Sequence, residues 1–145
     1  MVRADLNDTT SLIEAFKGAT VVFGVTDFWT IFKDAESHSR KKPGQDLTEY
    51  CFEVELQQGK NLADSAATVT GLHRYIFSSM ANATKWSNGK FKTIYHMDSK
   101  ALAVDYAKNL PQLAGKFSQV QAPIYYNLPW EWGLPTTPKK VCSPH

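Results

Sequence analysis

From Leu47 onward, positions three or four residues apart form one stripe that is apolar except at Gln58: Leu47, Cys51, Val54, Gln58, Leu62, Ala66 and Val69. That step follows the α-helical turn, so a long helix with one buried face is expected, ending at Gly71. Residues 20–26, Thr20-Val21-Val22-Phe23-Gly24-Val25-Thr26, have a different rhythm. They are almost continuously apolar and β-branched, the pattern of a parallel strand buried on both faces. Residues 72–79 read as a second strand and residues 115–121 as a weaker one that runs on to Asn127. Residues 1–6 read as the tail of another strand.

Between these strands lie further helices and loops. Asn7, Asp8, Thr9 and Thr10 lead into Ser11-Leu12-Ile13-Glu14, which has capping-box spacing, and Gly18 suits a helix C-terminus. Residues 30–46 are polar, with Pro43 and Gly44, and read as a loop. Residues 80–92 form a second polar loop with the turn signal Asn88-Gly89, followed by a helix from about Asp98 to Lys108. Residues 128–145 hold four prolines and two tryptophans and show no usable period. Strands alternating with helices predict an α/β fold with a parallel sheet. Ligands of such sheets bind beyond the carboxyl ends of the strands. The candidate functional positions are therefore Asp5, Thr26 to Trp29, Ser78 to Asn82 and Tyr125 to Asn127.

Composition narrows the partners. A net charge of +2 over 145 residues lacks the concentrated basic face that nucleic acid requires. The basic run Arg40-Lys41-Lys42 reads as a solvated loop. Cys51 and Cys142 lie far apart, and Cys51 falls on the helical stripe as a buried thiol. His38, His73 and His145 share no spacing with carboxylates, so no metal site is expected. No signal-peptide pattern and no membrane-spanning apolar run is present, which points to the cytoplasm, with the nucleus as the alternative.

Four stretches carry a family resemblance: Ala4-Asp5-Leu6-Asn7-Asp8, Val25-Thr26-Asp27-Phe28-Trp29, Gln58-Gly59-Lys60-Asn61-Leu62-Ala63-Asp64 and Tyr95-His96-Met97-Asp98-Ser99-Lys100. In that order and spacing the chain resembles the NmrA-like proteins, atypical members of the short-chain dehydrogenase/reductase superfamily, and is similar in flavour to fungal members. The resemblance implies a truncated NAD(P)-binding domain over residues 1–128 and a proline-rich tail over residues 129–145. It implies a partial Rossmann-type, doubly wound parallel sheet lacking its first two strands. No Gly-x-x-Gly-x-x-Gly occurs in the sequence, so binding of NADP(H) is expected to be impaired. An unpaired apolar edge at residues 20–26 invites self-association.

The function the resemblance implies is NADP-dependent oxidoreductase chemistry, moving hydride between NADPH and a small carbonyl, alkene or imine. The alternative is a non-catalytic NADP(H)-sensing regulator acting through a protein partner; a third is a remnant without function. Lys100 would hold the nicotinamide ribose, with His96 or Tyr95 as proton donor. The superfamily's active-site pattern has tyrosine where His96 stands, so His96 equally suits a positioning role. Asp5 and Leu6 would flank the adenine, and Thr26, Asp27 and Phe28 would line the adenosine and ribose. Ser78 stands near the superfamily's catalytic serine, and Tyr125, Tyr126 and Asn127 would sit beside the nicotinamide. Capping by Asp5, strand termination by Ser78 and core packing by Phe28 are the plainer alternatives. Residues 58–61 are expected to shape their helix rather than touch a ligand.

Overall fold

The periodic stripe folds as a helix in the computed structural model, which describes residues 2–122. We call it α4 (Leu47–Ala67); Asp46 caps its start by accepting from the Thr48 amide. It stops at Ala67, before Gly71, because the chain closes consecutive turns through Val69 and Leu72 on its way into the next strand. Its buried face includes Cys51, Leu62, Ala63 and Ala66, but also Glu55 and Gln58.

Three strands, β1 (Val21–Gly24), β2 (Arg74–Ser79) and β3 (Phe117–Gln121), form one parallel sheet in the order β1-β2-β3. Val22 pairs with Tyr75, and Tyr75 with Phe117. The crossovers carry α4 and α6 (Tyr95–Lys108). Two crossovers of one hand that step the same way across a sheet place their helices on the same face. The core therefore lies on that face. Leu12, from the leading helix α1 (Thr9–Phe16), joins Val22, Leu62, Ala66, Tyr75, Phe77, Ala103 and Val104 there. α4 and α6 approach closely at Gly59: a Cβ added there would stand 2.5 Å from the Ala103 Cβ. The result is a mixed α/β, partial Rossmann-like fold.

Several elements differ from the sequence reading. The strand expected at residues 20–26 is shorter and, among the described residues, is covered on one face only. Val21, Phe23 and Val25 remain 54%, 60% and 48% exposed, because the described helices that pack on the sheet lie on its other face. Residues 2–6 form no strand. They fold into a turn in which Asp8 donates its amide to the Asp5 carbonyl, while Asn61 reaches back to the Leu6 carbonyl. The capping box does not form either. Asp8 caps α1, and the Ser11 hydroxyl is spent on the Asp5 and Asp8 carbonyls. Gly18, at φ 75°, does take the left-handed conformation after that helix.

The loop expected over residues 30–46 contains most of two short helices, α2 (Phe28–Lys33) and α3 (Ala35–Arg40), capped by Asp27 and Asp34. Phe28 and Ile31 bury against Cys51 in a second apolar cluster. The loop over residues 80–92 contains α5 (Ala83–Trp86), and α6 begins at Tyr95 rather than Asp98. The domain boundary expected at residue 128 lies outside the described residues. Among the described residues no helix is long and apolar enough to cross a membrane.

Candidate functional site

β1 leaves the sheet through Val25 and the buried Thr26. Above that strand end, α4 delivers Glu55 while α6 delivers Ser99 and Lys100. The Lys100 ammonium donates to Glu55 Oε1 at 2.6 Å, to Thr26 Oγ1 at 2.8 Å and to the Thr26 carbonyl. Glu55 also accepts from Thr26 Oγ1 at 3.0 Å and from the Ser99 hydroxyl. The Glu55 side chain is 0% exposed and that of Lys100 15%. An ammonium has three protons and no acceptor, so these contacts use its whole donor capacity. Such a pair gains little over an apolar replacement, but either member left alone in the interior is costly.

Glu55 is the residue sequence reasoning missed. Its signal was present beside the stripe rather than in it: it lies four residues after Cys51 and seven before Leu62, and so shares their helix face. An isolated carboxylate on a buried helix face needs a cation, and Lys100 is the one it meets.

Thr26 and Lys100 are brought together by direct contact, and Asp27 and Phe28 stand beside them on the next turn. The Asp27 carboxylate accepts from the Trp29 and Thr30 amides and the Thr30 hydroxyl. Burial pushes its carboxyl upward. The Thr30 and Trp29 hydrogen bonds and the Lys100 charge outweigh that and hold it below the usual range. His96 lies one turn before Lys100 on α6, with its ring 6.0 Å from Phe28 and 5.4 Å from Trp29. Burial drives its imidazole below its ordinary pKa; Lys100 adds to this, while Glu55 and Asp98 oppose it.

The remaining predicted positions separate. Tyr95 packs its ring 5.5 Å from Phe52 and lines a different cleft, with Lys85 and Lys92. Ser78 points away from the helices, on the half-covered side of β2; its neighbour Ser79 is buried. Asp5 and Leu6 line a cleft of about 500 Å³ with Arg3, Ser11 and Gln58. Gln58 follows Glu55 by three residues, a rise of about 4.5 Å along α4. Gln58 and Asn61 hold the turn at Asn7 and Leu6 by hydrogen bonds of 3.2 and 2.8 Å. Tyr125, Tyr126 and Asn127 lie outside the described residues. Cys51 is a buried free thiol, pushed up by burial and by the Glu55 charge. Among the described residues no three His, Cys, Asp or Glu side chains cluster as metal ligands.

The chemistry of these donors fits a dinucleotide in part. The cleft at Asp5 and Leu6 has a mainly polar lining, in which Asp5 Oδ1 already accepts from Asn7 and the Gln58 amide already donates to Asn7 Oδ1. The turn after β1, Val25-Thr26-Asp27, contains no glycine, and the start of α2 is capped by the protein's own carboxylate. Lys100 has no proton left for a ribose hydroxyl in this arrangement. A model of the NmrA-like family matches residues 1–136, nearly the whole length of the chain, and the chain belongs to that family.

Proposed function

We propose that this protein is an NADP(H)-responsive regulator that acts through a protein partner, rather than a reductase that turns over a substrate. Membership of the NmrA-like family carries NAD(P) binding of an oxidoreductase-like or regulatory kind. The choice between the two rests on one observation: all three protons of the Lys100 ammonium are given to Thr26 and Glu55. A reductase of this type needs that lysine at the ribose, where it also lowers the pKa of the proton donor. Here the lysine ties the chain after β1 to α4 and α6, and His96 is a partly buried imidazole beside the Phe28 and Trp29 rings. When bound, the dinucleotide would supply redox state as the signal. Asp5, Leu6 and Gln58 would hold its adenosine end.

The test is a titration of the purified chain with NADPH and NADH, followed by nicotinamide fluorescence. A panel of aldehydes, ketones and quinones is then added and absorbance of the reduced cofactor recorded. Saturable NADPH binding without substrate-dependent oxidation is the expected result. Steady oxidation with any substrate would overturn the regulatory reading. Failure to bind at about 1 mM, where binding is worth only about 4 kcal/mol, would overturn the dinucleotide reading itself.

A further inference from the structure

The loop over residues 82–92 presents a second, unrelated surface. It is held from below by Asp98, itself only 6% exposed. That carboxylate accepts from the Ala83 amide at 2.6 Å, the Thr84 amide at 3.3 Å and the Thr84 hydroxyl at 2.6 Å. Asn82 caps α5 through the Lys85 amide. The Thr84 hydroxyl reaches the Phe91 carbonyl, the Ser87 hydroxyl takes the Phe91 amide, and Gly89 closes on the Thr84 carbonyl. Asn88 and Gly89 turn the chain at φ 51° and 78°. A loop fixed by so many of its own hydrogen bonds would ordinarily turn polar side chains outward. This one leaves Trp86 77% and Phe91 50% exposed.

The loop itself carries charge of one sign; the exposed acid next to it is Asp105 of α6, which shares a neighbouring cleft with Lys85, Trp86 and Lys108. Residues 65–97 contain no Asp or Glu, and Lys85, Lys90 and Lys92 are exposed. None of the three forms a salt bridge among the described residues. At the foot of the loop lies a cleft of about 280 Å³. Phe52, Tyr95 and Leu102 line it with apolar surface, and Lys85 and Lys92 also line it. The one carboxylate there, Asp98, is committed to the loop amides and the Thr84 hydroxyl. Volume, lining and charge define one kind of occupant: an apolar side chain flanked by carboxylates. A flat anionic surface would satisfy the lysines but leave the cleft unfilled.

We propose that the cleft between this loop and α6 binds a short acidic segment of a partner protein, with one aromatic or aliphatic side chain seated against Phe52, Tyr95 and Leu102. The proposal gives the regulatory reading its partner class and rests on that reading for its biological sense. Its test contains no dinucleotide, so the two succeed or fail separately.

The probe is a fluorescein-labelled peptide of sequence DEEFEED, titrated with the full chain and followed by anisotropy. Saturable binding is expected, weakened at least about tenfold in the glycine version DEEGEED, which has no side chain to bury. The double reversal Lys85→Glu and Lys92→Glu should weaken DEEFEED at least about tenfold while melting and circular dichroism stay unchanged. The same reversal at Lys17 and Lys33, on other elements, should leave binding within about twofold. Equal affinity for the two peptides, or an unaltered affinity in the Lys85 and Lys92 variant, would overturn the proposal. So would binding to phosphatidylserine vesicles through these lysines without binding to the peptide, which would mark a lipid-facing loop.

Discussion

At the residue scale the decisive group is Glu55. A glutamate on a buried helix face and a lysine on the next helix are each unremarkable in a sequence. Only their apposition makes Lys100 a structural cation rather than an available donor. Replacing Glu55 with Leu should destabilise the fold by about 3–5 kcal/mol, because the ammonium is left without its counter-charge. Lys100→Met should cost a similar amount. The double variant should recover most of the loss, since removing both charges abolishes the desolvation penalty. Urea unfolding of the four proteins at neutral pH gives the coupling; additive losses would show that the pair does not act as a unit. His96 supplies a pH dependence. Its folded pKa lies below the ordinary value, so the unfolded chain binds the proton more tightly. The stability contributed by neutral His96 is complete above about pH 6.5 and is lost as pH falls through that value toward the folded pKa. His96→Phe should therefore shrink the loss of urea midpoint between about pH 7.5 and about pH 5.5. An equal loss in both proteins would assign the acid sensitivity elsewhere. Of the residues that meet beyond β1, Thr26 was legible from its place after the strand, and Lys100 from its spacing in the family's motif. Glu55 showed only its helical spacing to Cys51 and Leu62; its pairing could not be read, because its partner is 45 residues away.

At the level of elements, the contact between α4 and α6 sets the distance from Glu55 to Lys100. Gly59 makes that approach possible. Alanine at this position would raise helix propensity by about 1 kcal/mol on its own. Its methyl group would nevertheless press into Ala103, and overpacking of this kind costs about 1–3 kcal/mol. Gly59→Ala should lower the denaturation midpoint; a rise would mean that the two helices separate without loss. The same scale explains which elements the sequence displayed. α4 runs for 21 residues, long enough for its period to stand out. α2 and α3 have six residues each, under two turns, and no periodic pattern can emerge from so few. Their signals were the caps Asp27 and Asp34, and an aspartate before a polar stretch serves a loop as readily as a helix. The opening segment misled for another reason. Six residues of mixed character suit a strand end or a turn, and hydrogen bonds to Asn61 and Ser11 choose the turn.

Among the described residues the sheet has two unlike faces. One side of the sheet carries the core, while Val21, Phe23, Val25 and Val120 on the other are about half exposed. An apolar sheet face of this kind favours association. The apparent mass of the chain in sedimentation should rise with concentration, and Phe23→Glu should suppress that rise with less than about 0.5 kcal/mol change in stability. A wild-type chain that stays monomeric throughout would show that this face does not drive association. The sequence by itself determined the α/β class, the long helix, all three strands to within a few residues and the family, because these depend on local periodicity and on motifs contiguous in the chain. Only the tertiary structure decided which face of β1 is covered, since that depends on where the helices cross. It alone decided what Tyr95 and His96, which diverge by about 100° on the helix, pack against: Phe52 for the first, Phe28 and Trp29 for the second. It also decided that Lys100 spends its protons on Glu55 and Thr26, because a donor's availability is fixed by which acceptors the fold brings within reach.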